Sequence, residues 1–339
     1  MKIAIHLTKG YYSERWVSYC ESKGIDYKLV DCYRSDIIEE LSDCDALMWH
    51  FSHQSAQASK FAKQLLYSVE ASGKKVYPDF NTVWHFDDKV GQKYLLEAKG
   101  LPGPHAHAFY NKKDARAWAS QTTYPKVFKL RNGSSSDNVK LVRSERAARK
   151  LINKAFGRGF KLYKPWNSLM ERIRKYRHGL TTFNSVMNGF LRLFWTTDYN
   201  RVTGREKGYI YFQDFIPGMD HDIRVIVVGD KAFAAKRLVR KNDFRASGSG
   251  YGFFDKELID EKFVREGFKI SDALKTQSLV CDFVSLEGKP LTVEISYASV
   301  AYPYDNCPGY WDRDMNWHEG TFDPYGWMVE NILECIKSE

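Results

Sequence analysis

Two carboxylates facing one another on a hairpin are the residues of this chain best placed to do chemistry. The stretch Val280–Ser296 reads VCDFVSLEGKPLTVEIS, with Gly288 at the centre of an expected turn. Pairing symmetrically about Gly288 sets Asp282 opposite Glu294. Alternation along the strands then puts Cys281, Phe283, Leu291, Val293 and Ile295 on one face, and Asp282, Glu294 and Ser296 on the other. Carboxylates directly opposed across a ladder lie about 5 Å apart and repel. A cation between them removes that penalty, and this oxygen set suits Mg²⁺, which takes one or two carboxylates together with substrate phosphates. The alternative is an ordinary hairpin with a wet acidic face. The metal reading requires a phosphate cradle elsewhere in the chain.

Candidates for that cradle exist. Pro125-Lys-Val-Phe-Lys129 reads as a short strand running into Asn132-Gly-Ser-Ser-Ser-Asp-Asn138, whose small residues free backbone N–H groups for phosphate oxygens while Lys129 supplies a point charge. The GxxxxGK[ST] pattern is missing, so this is no Walker loop, and a plain surface turn is the competing reading. Lys89 lies in a helical stretch, where a solvated lysine is the default. Further on come Gln213–Gly218, Asp222-Ile-Arg224, Ala234-Ala-Lys-Arg237 and Asp243-Phe-Arg245 before a second glycine-rich run. Arginines so interleaved suit a clamp on anionic oxygens, which guanidinium groups bind bidentately; paired charges on a basic strand face are the bland alternative.

The elements that must position these residues are legible by period. Strands are expected at Lys2–Leu7, Tyr27–Val30, Ala46–His50 and Lys75–Tyr77, with helices at Glu14–Lys23 and Ala56–Ala71. Strands alternating with helices imply a parallel, doubly wound sheet, hence an α/β class. A helix-forming stretch, Asp87–Lys99, is stopped by Gly100-Leu-Pro-Gly-Pro104. Another helix is expected at 144–156, and from Tyr209 strands dominate, apart from a helix near 257–275 and a last one at about 325–337.

Composition narrows the function classes. Hydrophobic residues make up 43% of the chain and charged ones 27%, as in a globular protein, and no apolar run approaches the roughly 20 residues of a membrane span. The opening MKIAIHLTKG reads as a strand rather than a signal segment, and six scattered cysteines have neither zinc nor CxxC spacing, which points to reduced thiols and the cytoplasm. The nine histidines lack metal-like grouping and are expected to be core or surface residues. The net charge of +9 suits phosphorylated ligands, an anionic membrane or nucleic acid. No nucleic-acid motif accompanies it, so nucleic acid is the least favoured partner.

Taken in order, Asp87-Asp-Lys89, Pro125-x-Val-x-Lys129 with the loop Gly133–Asn138, Tyr211–Ile216, Asp222-Ile-Arg224, Asp243-Phe-Arg245, and Asp282 with Glu294-x-Ser296 resemble the ATP-grasp superfamily, in its RimK-like carboxylate–amine ligase branch. The resemblance covers about residues 80–300. It implies an ATP-grasp fold: a pre-ATP-grasp α/β domain over 1–80, a linking helical part over 81–124, a lid subdomain over 125–208 and a C-terminal subdomain over 209–339. It also implies roles. Lys89 and Lys129 would hold the α- and β-phosphates of ATP, and the loop with Gly133, Ser134, Ser135 and Ser136 would close over the triphosphate. Gln213, Asp214 and Phe215 would meet adenine, with Asp222 near the ribose. Arg224 and Arg245 would steady the γ-phosphate and the acyl phosphate formed from it, and Asp282, Glu294 and Ser296 would bind Mg²⁺, or Mn²⁺ in its place. Ser296 stands where the family carries its third metal ligand, an asparagine, so one ion is expected to bind less tightly; Ser247 likewise replaces an asparagine, and both departures leave room for a degenerate enzyme or a different phosphoryl acceptor. The implied reaction joins a carboxylate to an amine through an acyl phosphate, on an amino acid or a surface-polysaccharide precursor. A kinase of a sugar or inositol-like hydroxyl and a non-catalytic nucleotide-binding module are the alternatives. No oligomeric state is implied.

Two segments exceed that pattern. Residues 161–208 carry ten bases against three acids, a net charge of +7, and Phe183–Trp195 could form an apolar helix face beside this basic flank. Such an insert suits an anionic membrane surface, which would place the protein at the inner face of the membrane, or a lipid-linked or phosphorylated glycan substrate; a helical pair packed on the lid is the alternative. The tail Tyr297–Trp327 is rich in Tyr, Trp and Asp. Tyr302, Tyr304, Tyr310, Trp311 and Trp317 could stack on sugar rings, with Asp305, Asp312 and Asp314 on hydroxyls or an amine, or the tail closes a core.

Overall fold

The computed structural model describes residues 1–53, 55–133, 138–162, 166, 169–170, 172–173, 176, 181–191, 193, 202–239 and 252–338. They group into two compact units, one of residues 1–52, 58–104 and 216–339, the other of 53–57 and 105–215.

The first unit opens with the parallel sheet anticipated from the βα alternation. Strands β1 (Lys2–His6), β2 (Asp26–Val30), β3 (Ala46–Met48) and β4 (Lys75–Tyr77) run in the order β2-β1-β3-β4. Both faces of β1 are buried, as a parallel sheet covered by helices requires. Ile3 and Ile5 pack toward Trp16 and Cys20 of the helix Tyr12–Lys23, while Ala4 packs toward Ala58, Ala62 and Leu66 of the helix Ala56–Ala71.

In the second unit, β5 (Ala106–Phe109), β6 (Lys126–Lys129), β7 (Lys140–Val142) and β10 (Ile210–Asp214) form a sheet in the order β5-β10-β6-β7, and β8 (Phe160–Lys161) pairs with β9 (Arg205–Glu206). Because β10 bonds to both β5 and β6, residues 105–124 and 209–215 group with the lid rather than with the segments that flank them in the chain. Helices Lys112–Gln121 and Glu145–Ala155 cover this sheet through Ala115, Ala119, Ala148 and Ile152, which meet Phe128 and Phe212.

The chain then returns to the first unit with an antiparallel sheet built on β11 (His221–Val228), β12 (Lys231–Leu238), β14 (Ser278–Leu286) and β15 (Lys289–Ser296), with β13 (Gly252–Phe253), β16 (Gly309–Asp312) and β17 (Trp317–Glu319) along the β12 side. Alternation gives β11 two characters. Ile223, Val225 and Val227 face the helix Glu261–Leu274, whereas Ile226 and Val228 join a core with Trp16, Tyr77 and the C-terminal helix Pro324–Lys337. Asp222 and Arg224 share the second face, at its outer end.

The β14–β15 hairpin carries a correction. Its turn is the two-residue Glu287-Gly288, so Leu286 pairs with Lys289 and Val284 with Leu291. A bulge beside Asp282 absorbs one residue and restores the expected partnership of Asp282 with Glu294. Below the bulge the faces are therefore exchanged. Thr292, not Leu291 or Val293, sits opposite Phe283 and is buried with it.

Helix Glu261–Leu274 comes close to the sheet only because residue 267 is glycine; a Cβ there would lie 2.8 Å from Val225 Cγ1. Gly267→Val should therefore lower stability by about 1–3 kcal/mol, the usual cost of overpacking. A urea unfolding midpoint equal to that of the wild type would refute this packing.

Candidate active site

The site grows out of strand register. On the β14 ladder Asp282 has Glu294 on one side and Arg224 on the other, and on the β11–β12 ladder Asp222 is opposite Arg237. The guanidinium of Arg224 grips both oxygens of Asp282, with Nε–Oδ1 at 2.6 Å and Nη2–Oδ2 at 2.8 Å. Arg237 grips Asp222 in the same forked way, at 2.7 and 2.6 Å, and also reaches Asp282 Oδ2 at 2.9 Å. At the end of the row Lys89 Nζ lies 3.0 Å from Glu294 Oε1. The repulsion expected between two facing carboxylates is thus relieved by three cations of the chain itself.

Burial makes those pairings energetic. Desolvation alone would raise the Asp282 carboxyl, but Arg224 and Arg237 outweigh it and hold the group well below the usual carboxylate range. Asp222 moves the other way, because burial and the negative charge of Asp282 exceed what Arg237 returns. Arg224 would be lowered by burial yet is raised, chiefly by Asp282. Lys89 is only 7% exposed and is likewise raised, because Glu294 and Asp87 overcome its desolvation.

Lys89 departs from the solvated default because of where its helix starts. Asp88 caps the helix Lys89–Ala98, its carboxylate accepting from the Gly91 N–H at 2.8 Å, so Lys89 is the first helical residue. Gln92 then fastens the helix to β15. Its Nε2 donates to Ile295 O at 2.8 Å and its Oε1 accepts from Ile295 N at 3.3 Å, which brings Lys89 to the neighbouring Glu294.

Ser296 turns elsewhere. Its hydroxyl donates to Ala298 O at 2.8 Å and accepts from Ala298 N at 3.3 Å, a local turn of the kind short hydroxyl side chains make. Among the described residues no three carboxylates, imidazoles or thiols gather into a metal cage. The opposed pair Asp282 and Glu294 nevertheless fits Mg²⁺ in the form that draws its remaining ligands from water and phosphate.

In the second unit, pairing of β10 with β6 sets Tyr211 opposite Lys129 and Gln213 opposite Val127. Gln213 is buried, and the Asp214 carboxylate is taken by Lys126 Nζ at 2.6 Å while its N–H donates to His105 O. Asp214 is thus paired with Lys126 through one carboxylate oxygen. Phe215 closes this unit after β10. Gly133, at φ 117°, occupies backbone space that favours glycine where the loop begins. Ser134, Ser135, Ser136 and Arg245 lie outside the described residues, as does Ser247.

The aromatic tail mostly fills core. Trp311 is 1% exposed and packs edge-on against Trp317, Tyr304 is buried beside Phe233, and Tyr310 stacks on His318. Trp311 and Tyr304 are thus committed to packing, Tyr310 and Trp317 are half-buried, and Tyr302 is 73% exposed. Asp305 holds Arg15 at 2.7 Å, and Asp312 holds His318 and Asn316.

Arg237 was read within an anion clamp but given no role of its own, although its pairing signal was present. Counting from the two-residue Gly229-Asp230 turn pairs Asp222 with Arg237, whereas counting about the single glycine, as at Gly288, gives Lys236. Lys126 could have been found only from the strand pairing of β6 with β10, which lie more than eighty residues apart.

No family model matches the chain. A curated relative, the alpha-aminoadipate–LysW ligase LysX of Saccharolobus solfataricus, is 20% identical over 262 residues, covering 75% of this chain and 77% of that protein. Among solved structures, a RimK-domain ATP-grasp protein from Sphaerobacter thermophilus superposes with a TM-score of 0.56 at 14% identity, over 98% of this chain and 100% of that one. The D-alanine–D-alanine ligase of Bacillus anthracis complexed with ATP gives 0.58 at 12% identity, over 100% and 98%.

The ion-pair row should govern acid stability. Asp282 has a folded pKa below its unfolded one, so its contribution is fully present above the ordinary carboxylate value, about 4, and is lost as pH falls through the lower folded value. Asp282→Asn should flatten the acid limb of the stability–pH curve. At neutral pH it should cost about 3–5 kcal/mol, because buried guanidinium charge is left without its partner. An acid limb as steep as the wild type's, measured by denaturant titration across pH, would contradict the assignment.

Proposed function

We propose that this chain, an ATP-grasp protein of the RimK-like branch, is an ATP- and Mg²⁺-dependent ligase that joins a carboxylate to an amine. The observation that carries the reading is the row Lys89, Glu294, Asp282, Arg224 and Arg237, built on the buried Asp282 and Lys89, in which each charged group is held in place by a neighbour of opposite sign.

The chemistry needs little acid–base help and much charge neutralisation. A substrate carboxylate oxygen attacks the γ-phosphorus of ATP, the bond to the β-phosphate oxygen breaks, and ADP leaves an acyl phosphate. The amine nitrogen then attacks the acyl carbon, inorganic phosphate departs with the C–O bond pair, and the ammonium proton passes to solvent. Forked guanidinium groups bind a phosphoryl oxygen pair as readily as a carboxylate. Arg224 and Arg237 would accordingly exchange part of their grip on Asp282 for the transferring phosphoryl group. Lys89 would neutralise phosphate oxygens beside Glu294. Mg²⁺, when bound, would be held by Asp282 and Glu294, with Mn²⁺ as a substitute, and supplies charge neutralisation of the triphosphate. Because Ser296 is committed to Ala298, those two carboxylates carry the protein's share of the metal site. In the second unit, Lys129 and the loop from Gly133 through Ser136 would receive the nucleotide phosphates, and Gln213 and Phe215 its base. Arg245, in the chain segment after that unit, would join Arg224 at the acyl phosphate.

Two of the named relatives, the alpha-aminoadipate–LysW ligase and the D-alanine–D-alanine ligase, carry amino acids in their names, which supports an amino-acid-like carboxylate or amine here. A glycan precursor has less support, since Tyr304 and Trp311 of the tail are buried.

A screen of amino acids and uronic acids with ATP and Mg²⁺ should reveal phosphate release that depends on both a carboxylate and an amine. Hydroxylamine in place of the amine should give a hydroxamate. Glu294→Gln should reduce turnover by about a hundredfold or more, as expected when transition-state charge stabilisation is removed, and should raise the Mg²⁺ concentration required. Undiminished turnover in Glu294→Gln would remove the metal assignment. A stable phosphorylated product with no free phosphate would replace the ligase by a kinase.

A further inference from the structure

One corner of the second unit gathers positive charge that no acid offsets. The helix Glu145–Ala155 ends there, residues 156–159 lead into β8, and β9 returns alongside. Three hydrogen bonds fix the corner. Gly208 N–H donates to Ala155 O at 3.1 Å, Arg205 Nε to Arg158 O at 2.5 Å and Arg205 Nη2 to Gly159 O at 3.0 Å. On this frame sit Lys154, Arg158, Lys161 and Arg205. Register sets Lys161 directly opposite Arg205 on the β8–β9 ladder, where like charges repel. Lys154 is the most enclosed of the four. Its ammonium lies 4.7 Å from the centre of the Phe160 ring, and its pKa is lowered by burial first and then by Arg158, Lys140 and Arg205. Lys140, on β7, thus belongs to the same cluster. The one acid of the corner, Glu206, acts instead on the Tyr209 hydroxyl, which burial and that carboxylate raise. Lys140, Lys154 and Arg158 have no acidic partner among the described residues.

Strand alternation separates this corner from the residues read as holding nucleotide. Lys140 pairs with Phe128 on the β6–β7 ladder, and Phe128 packs with Phe160 and Phe212 beneath the helices of the unit. Lys129 and Gln213 alternate to the other face of the same sheet. The cluster is therefore a second cationic region, on the helix-covered side. Like charges held on one rigid corner repel, and an anion of several charges removes that cost. Size and chemistry select the anion. The five cations occupy one helix end and three strands, a small area, and Phe160 at their centre is buried and offers no ring on which a base could stack. A short run of phosphates concentrates its charge in a comparable space, and ammonium and guanidinium groups both bind phosphate oxygens through charge-assisted hydrogen bonds.

We infer that the corner formed by Lys140, Lys154, Arg158, Lys161 and Arg205 binds a compact, multiply charged phosphate anion, at a site separate from the one proposed for nucleotide. This inference does not depend on the ligase reading, and its test needs no turnover. Isothermal titration of the full chain with inorganic tripolyphosphate, without divalent metal, measures it. Binding should weaken as salt is raised. Tripolyphosphate could also enter a nucleotide site, and Lys129→Ala separates the two. Binding at the corner is expected to survive Lys129→Ala. In that background it should fall about tenfold or more in the double variant Lys154→Gln, Arg158→Gln, and should fall as well in Lys140→Gln, which changes a different element. The double variant should unfold at or above the temperature of its parent, because it removes charges that repel. Wild-type protein that takes up no tripolyphosphate at low salt, or a double variant that binds as tightly as its parent, would overturn the inference. Loss of all binding in Lys129→Ala would do so by assigning the anion to the nucleotide site. Capture of poly-L-glutamate by a protein that ignores tripolyphosphate would replace the phosphate ligand by an acidic polypeptide.

Discussion

The need to keep Asp282 ionised while it is buried between two strands is the constraint from which the rest of the site follows. A carboxylate removed from water is stable as an anion only if compensating charge is built around it. Here Arg224 comes from the neighbouring strand at the same rung, and Arg237 from the strand beyond. Each cation thus reaches its place through ordinary antiparallel register. The two arginines in turn require Asp222, and Glu294 at the other end requires Lys89.

This arrangement sets how the sheet must pack. Along β11 one face carries charge at Asp222 and Arg224 and hydrocarbon at Ile226 and Val228, so the ion-pair row sits at the rim of the core that joins the two sheets of the first unit. The reverse face carries Ile223, Val225 and Val227 and is covered by the helix Glu261–Leu274. A network with one fully charged, hydrogen-bonded pattern resists rearrangement, because any broken pair leaves a desolvated ion. The same feature makes it responsive: a phosphate or a divalent ion offers these groups partners of equal or greater charge.

Much of this was legible in one dimension. The period-2 pattern around Gly288 placed Asp282 against Glu294, and the βα alternation of the first eighty residues placed the parallel sheet. The partnership of Asp282 with Glu294 held for a reason the pattern did not contain. The true turn is one half-step away from Gly288, and the bulge beside Asp282 compensates. Bulges arise from local twist and neighbouring packing, and alternation alone does not reveal them. Thr292 shows the consequence, lying on the buried face that had been expected to hold Leu291 and Val293.

By itself the sequence determined the residue types available for chemistry, the order of strands and helices, and the local pairing across tight turns, because these depend on side-chain identity and on contacts between near neighbours. Tertiary structure decided which charges neutralise one another. Lys89 was ambiguous until Gln92 tied its helix to Ile295, and Asp214 met Lys126 only when β6 paired with β10. The tail rings acquired a packing role when they met Phe233 and Trp327. Desolvation is the physical reason: whether a lysine, a carboxylate or a ring is free to meet a ligand depends on what covers it, and residues hundreds of positions away do the covering.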